Sequence, residues 1–230
     1  MEIVYNKEEV MKMAKNMYSL MLMDEVVMQI DRIAAHNSTN RSNLINEILA
    51  DYVSFITPQR HIQNIFESIS AIIDDVSALT VQDMAASSVI CIKSALSYKY
   101  RPTIRYSVEL FSDNNSLGEL RVTFRTQSAE LLMEITHFLS LWMQLEDHHI
   151  SKFDLHGGIT YALEQGRFKR RLMYPKNSSL HNSDEVSKAI TDYIQMFDEI
   201  LKGYLNGEYN TDEDVEYRYL NYLKSGIAVI

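Results

Sequence analysis

The chain has 230 residues, 46% of them hydrophobic and 23% charged, which is ordinary globular usage for one or two domains. Its formal charge of −9, from 22 Lys and Arg against 31 Asp and Glu, argues against indiscriminate coating of nucleic acid, because neutralised phosphates supply most non-specific affinity. A local site stays open, since salt confines charge effects to roughly 10 Å.

Only 7 Gly and 3 Pro point to a helix-rich chain without long linkers. No segment reaches the roughly 18 to 20 apolar residues of a membrane span. The start, MEIVYNKEEVMKMAK, lacks the basic-then-apolar order of a secretory signal. The single Cys91 excludes an internal disulfide framework and suits a reducing compartment. The expectation is a soluble, cytoplasmic protein with no membrane partner.

In chain order, Asn6 to Met17 reads as a short amphipathic lead-in. Tyr18 to Met23 is an apolar run of strand length, with period-two character at Tyr18, Leu20 and Leu22. Asp24 is placed to cap a helix in which Val26, Val27, Ile30, Ile33 and Ala34 share one face. His36 to Asn40 favours a turn. A second helix starts near Asn40 or Arg41, with an apolar stripe of Leu44, Ile45, Ile48, Leu49, Tyr52 and Val53. Thr57-Pro58 closes this module, because a residue before proline is pushed out of helical geometry.

Arg60 to Leu79 is predicted as an amphipathic helix carrying Ile62, Ile65, Phe66, Ile69, Ile72, Ile73 and Val76, with Asp74 and Asp75 inside it. Three strands are expected next, at Ser88–Ser97, Thr103–Phe111 and Gly118–Thr126, as an antiparallel meander apolar on one side. Ser128 to Gln144 reads as a helix, Leu145 to Ser183 as irregular, and Glu185–Leu205 and Asp212–Lys224 as two more helices. The fold class is therefore α+β and helix-rich: a module over 1–58, with its core at 18–53, and a larger α+β domain over 59–230.

The run from Ser19 to Ala34, followed by Asn40-Arg-Ser-Asn-Leu-Ile-Asn-Glu-Ile-Leu49, resembles the ribbon-helix-helix family of the Arc and MetJ repressor class. The likeness covers about 36 of the 230 residues, and its most specific part is Asn40 to Glu47, at the start of the second helix. One short strand and two helices cannot bury their apolar faces alone, so the module is expected to be an obligate two-fold dimer. Its strand would pair with its twin over a shared core of Leu20, Leu22, Val27, Ile30, Ile33, Leu44, Ile45, Ile48 and Leu49. The resemblance implies a ribbon in the major groove of operator DNA, with Met17, Ser19 and Met21 facing bases. It implies a phosphate held at Asn40, Arg41 and Ser42, on backbone N–H groups and the Ser42 hydroxyl. Readers of this class usually carry polar or basic residues at the outward positions, whereas two of the three here are Met.

The implied function is a sequence-specific transcriptional regulator, a repressor of bacterial, plasmid or phage type, acting as a homodimer or higher oligomer. The alternative is a non-enzymatic assembly factor that uses the ribbon only to dimerise. Residues 59–230 would sense a ligand, bind a protein or oligomerise. No phosphate-cradling glycine loop, Gly-x-Ser-x-Gly elbow or Cys-x-x-Cys suggests an enzyme, and no cofactor is expected.

Further motifs have bland readings beside sharp ones. Glu146-Asp-His-His149, with Asp154 and His156, could suit zinc or nickel, but adjacent helical histidines diverge and the expectation is no metal. Arg167-Phe-Lys-Arg-Arg171 could contact phosphate with Phe168 stacking, although a solvated strand or loop answering the acidic C-terminal tail is the plainer reading. Cys91, in an apolar run, reads as a buried small hydrophobe.

Overall fold

A computed structural model describes residues 16–86, 88–97, 102–112, 116–150, 159–164, 166–174 and 182–230. The protein is α+β, with six helices and a six-stranded antiparallel sheet among these residues. It divides into two compact units, Met1–Thr57 and Pro58–Ile230. The lead-in expected over Asn6–Met17 lies outside the described residues except at Asn16 and Met17.

The first unit holds α1 (Asp24–His36) and α2 (Arg41–Tyr52). Asp24 does not cap α1. The N-cap is Met23, whose side chain makes no capping hydrogen bond, and Asp24 and Glu25 sit in the first turn, where carboxylates favour the helix dipole. Ser38 turns the chain at φ 51°, a left-handed conformation, while the Thr39 N–H donates to the Ala34 carbonyl at 2.9 Å. Asn40 then caps α2, its side-chain oxygen accepting from the Asn43 N–H at 2.9 Å. Tyr18–Met23, expected as a strand, is not one in the single chain. The physical reason is that a strand needs a neighbour to take its backbone groups, and none pairs with this segment among the described residues.

The second unit comprises α3 (Pro58–Asp74), β1 (Leu79–Ala86), β2 (Val89–Ala95), β3 (Thr103–Leu110), β4 (Gly118–Arg125), α4 (Ala129–His149), β5 (Tyr161–Glu164), β6 (Arg167–Leu172), α5 (Ser183–Leu205) and α6 (Asp212–Lys224). The sheet order is β1-β2-β3-β4-β6-β5, all antiparallel. The three expected strands are β2, β3 and β4. The sheet doubles that number because β1 begins where spacing predicts the end of a helix, and β5 and β6 occupy chain expected to be irregular. Val76 continues the α3 stripe by spacing and hides the stop, yet the helix ends at Asp74, with Asp75 in the turn beyond.

Alternation along the strands sends Ile104, Tyr106, Val108 and Leu110 of β3, and Leu120, Val122 and Phe124 of β4, into one core. All four helices of this unit bury side chains in that same core. Helix α4 runs to His149, past the expected end at Gln144, because Leu145 and Glu146 prolong the buried stripe of Leu131, Ile135, Phe138, Leu139 and Trp142. Helix α5 is buried on most sides, and its buried Ser187 and Thr191 hydroxyls donate back to the carbonyls of Asp184 and Ser187. Two ionic groups reach the core from helices. Asp198 of α5 accepts from Ser94 of β2 at 3.0 Å and from Tyr106 of β3 at 2.8 Å, and pairs with Lys202 at 2.6 Å. Glu146 of α4 pairs with Arg170 of β6.

Candidate nucleic-acid interface

In the first unit the two helices share a small core of Ile30, Ala34 and Leu44, with Ile45 partly buried against it. Most of the rest of the expected dimer core is exposed: Leu20 at 61%, Leu22 at 43%, Ile33 at 46% and Ile48 at 48%, with Leu49, Tyr52 and Val53 beside them in sequence. Val27 is half-buried. The single chain therefore leaves most of its ribbon and helix apolar side chains facing solvent. That is costly, since burying a Leu or Ile side chain contributes about 1.5–3 kcal/mol. Met17, Ser19 and Met21, the expected base-facing positions, are all exposed.

The start of α2 gathers the expected phosphate contacts. Asn40 spends its side chain on the Asn43 N–H, while the exposed Ser42 sits in the first turn. Arg41 is engaged within the chain. Its Nε and Nη2 donate to the two carboxylate oxygens of Asp31 on α1, at 2.7 and 2.5 Å. The hydrogen bond from Arg41, foremost, holds the Asp31 carboxyl below its usual range, and the same bond raises the Arg41 guanidinium. The fork ties the two helices together at the surface, where such pairs are weak, and it competes with any phosphate for Arg41.

In the second unit the remaining sequence candidates fall apart as sites. Arg167–Arg171 is strand β6, and its alternation turns Phe168, Arg170 and Leu172 inward. Phe168 is buried and stacks on Phe197 inside the core, so it cannot stack on a base. Arg170 is buried too. Its Nε donates to both Glu146 oxygens at 3.0 and 2.9 Å, and its Cζ lies 4.5 Å from the Tyr193 ring centre. Burial, the largest influence, pushes the Arg170 pKa down, but Glu146 together with Tyr193 and Tyr161 more than offsets it and the guanidinium pKa is raised.

The acidic and histidine run is split the same way. Glu146 faces the core, while His149 hydrogen-bonds Glu216 of α6 at 2.7 Å. Asp154 and His156 lie outside the described residues, and among those described no three ligating side chains converge. Cys91 is buried, but on the polar side of the sheet beside Ser107, 3.5 Å from its hydroxyl, and outside the main core. Sequence reasoning missed Arg170 and Glu146 as a buried pair. The available signal was the Phe168-x-Arg170-x-Leu172 alternation, which makes position 170 inward whatever its residue type.

No protein-family model matches this chain, and searches of curated proteins and of solved structures returned no match to it.

Proposed function

We propose that residues 16–57 form a ribbon-helix-helix dimerisation and DNA-binding module and that the protein is a sequence-specific transcriptional regulator. The observation that carries the reading is the uncovered apolar surface of the first unit. Leu20, Leu22, Ile33 and Ile48 are each exposed by 43–61%, and in a two-fold dimer they would meet the same residues of a second copy. The Asn40-capped start of α2 supports it further, because the first N–H groups of a helix have no intrahelical acceptor and suit a phosphate.

Light scattering with gel-shift on upstream DNA of its own coding region tests this. A dimer that binds in the sub-micromolar range and weakens with salt supports the reading, whereas a monomer without DNA binding sinks it. Asp31→Ala sharpens the test. It releases Arg41 from its fork, so a phosphate-contacting Arg41 should gain affinity several-fold, a gain that Arg41→Ala/Ser42→Ala would abolish while the dimer persists.

A second reading has its own observation. Arg41 is held by Asp31, and Met17 and Met21 project from the expected reading face. Methionine cannot make the bidentate base contacts worth about 1–3 kcal/mol each. On that reading the module only dimerises and the protein is an assembly factor, in which Asp31→Ala changes no DNA affinity.

A further inference from the structure

The second unit's sheet packs one face against helices and leaves the other polar and part-exposed. Strand register fixes which side chains share that second face. Lys93 lies opposite Arg105, Arg121 opposite Lys169, and Thr103 opposite Arg125. Arg167 and Arg171 of β6 stand on the same side, opposite Thr123 and Glu119. Among the residues of strands β2 to β6, seven basic side chains therefore meet three acidic ones on this face, Glu109, Glu119 and Glu164, in a chain whose formal charge is −9.

Three of the cross-strand pairs put like charges directly opposite each other, an arrangement that destabilises a sheet: Lys93–Arg105, Arg121–Lys169 and the acidic pair Glu109–Glu119. At the first, Arg105 donates to the neutral amide oxygen of Gln82 at 2.9 Å, and Lys93 is in no ion pair among the described residues. At the second, Arg121 has Glu119 at 2.9 Å and Glu109 at 4.0 Å, which leaves Lys169 beside it uncompensated. Arg125 and Arg167 likewise form no ion pair among the described residues. Repulsion retained in this way is relieved by an external polyanion.

We propose that this open sheet face is a second, sequence-independent contact surface for the sugar–phosphate backbone of duplex DNA. Two features select a duplex over a single strand. The face carries no aromatic side chain among its described residues, so it has no platform on which unpaired bases could stack. Its basic groups also spread across four strands, about 4.8 Å apart, as a two-dimensional field rather than a single track. Such a field suits phosphates on both sides of a groove. Interactions of this kind position a protein on DNA without reading sequence. The site is separate from residues 16–57 and goes beyond the proposed regulator reading.

The test is fluorescence anisotropy of the full chain on a labelled random-sequence 30-base-pair duplex between 50 and 300 mM NaCl. Removing one cation that neutralises a phosphate should flatten the slope of log K against log salt by about 0.9. Lys93→Gln/Lys169→Gln and Arg125→Gln/Arg167→Gln are each expected to flatten it by about 2. A control of equal charge away from the face, Lys188→Gln/Lys224→Gln, should leave it unchanged, with Trp142 fluorescence showing that all three variants are folded.

Unchanged slopes in both sheet variants, or no duplex binding at 50 mM NaCl, would overturn the proposal. So would tighter binding to oligothymidine than to duplex. Displacement of the duplex by polyglutamate at equal charge would reassign the face to an acidic protein. Arg41→Ala/Ser42→Ala separates the two readings. If that variant alone flattens the slope, the sheet proposal fails while the regulator reading stands. If operator-type binding is absent but the sheet variants flatten the slope, the reverse holds.

Discussion

Breaking the Glu146–Arg170 pair offers the most quantitative check on how the second unit is held together. Both side chains are 0% exposed. The Arg170 Nε donates to both carboxylate oxygens, and the Tyr193 hydroxyl donates to one of them at 3.0 Å. Arg170→Met leaves Glu146 buried with only Tyr193 hydrogen-bonded to it among the described residues, and Glu146→Leu strands the guanidinium. Removing one member of a buried ion pair costs about 3–5 kcal/mol.

Removing both is a different case. The Arg170 Nη2 has no hydrogen-bond partner among the described residues, and Nη1 reaches only the Arg171 carbonyl at 3.3 Å. The pair is thus incompletely satisfied, a circumstance in which apolar replacement is close to neutral. Glu146→Leu/Arg170→Met should lie within about 2 kcal/mol of the parent, far below the sum of the single changes. At roughly 2–4 °C per kcal/mol for a unit of this size, a 4 kcal/mol loss lowers Tm by about 8–16 °C.

Denaturant unfolding of the full chain reads this directly through Trp142. It is the single tryptophan, is fully buried, and donates from Nε1 to the Tyr193 hydroxyl at 3.0 Å. Single substitutions costing under about 1 kcal/mol, or a double substitution that costs the sum, would refute the coupling.

Three further outcomes are expected. Asp198→Ala strands the Tyr106 hydroxyl and Lys202 in or beside the core, leaves the Ser94 hydroxyl the Ala78 carbonyl at 3.4 Å, and should cost about 2–4 kcal/mol by urea unfolding, more than Tyr106→Phe at about 1–2. Burial, above all, raises the Tyr106 and Tyr193 hydroxyl pKa values well above the ordinary one. The stability they contribute is complete below the unfolded value of about 10 and is lost as pH rises beyond it; absorbance titration should show some tyrosines ionising only with unfolding. Gly118→Ala places a Cβ 2.0 Å from the Glu109 carbonyl oxygen across the β3–β4 ladder, so the strands must part, at a cost of about 1–3 kcal/mol seen as a lowered Tm.

Periodicity alone locates much of the helical framework. Asp212–Lys224 has the boundaries its spacing predicts, since Thr211 and Asp214 form a reciprocal capping box that marks its start. Strands β2 to β4 are legible within about two residues, because a half-buried strand writes its two faces into alternating residue types. Asn40 as the N-cap of α2 is equally readable.

Tertiary structure decides what composition disguises. Strand β6 looks like a basic surface run because Arg170 occupies an inward position, and only Glu146, 24 residues earlier on α4, makes that burial tolerable. Strand β1 starts at Leu79, the residue to which the α3 stripe extends by spacing, and pairing with β2 makes it a strand. The basic sheet face also cannot be read along the chain, because its residues come from four strands and become neighbours only through register. Local spacing fixes a residue's place on its own element, but the partner that face meets depends on long-range pairing, which the linear order does not carry.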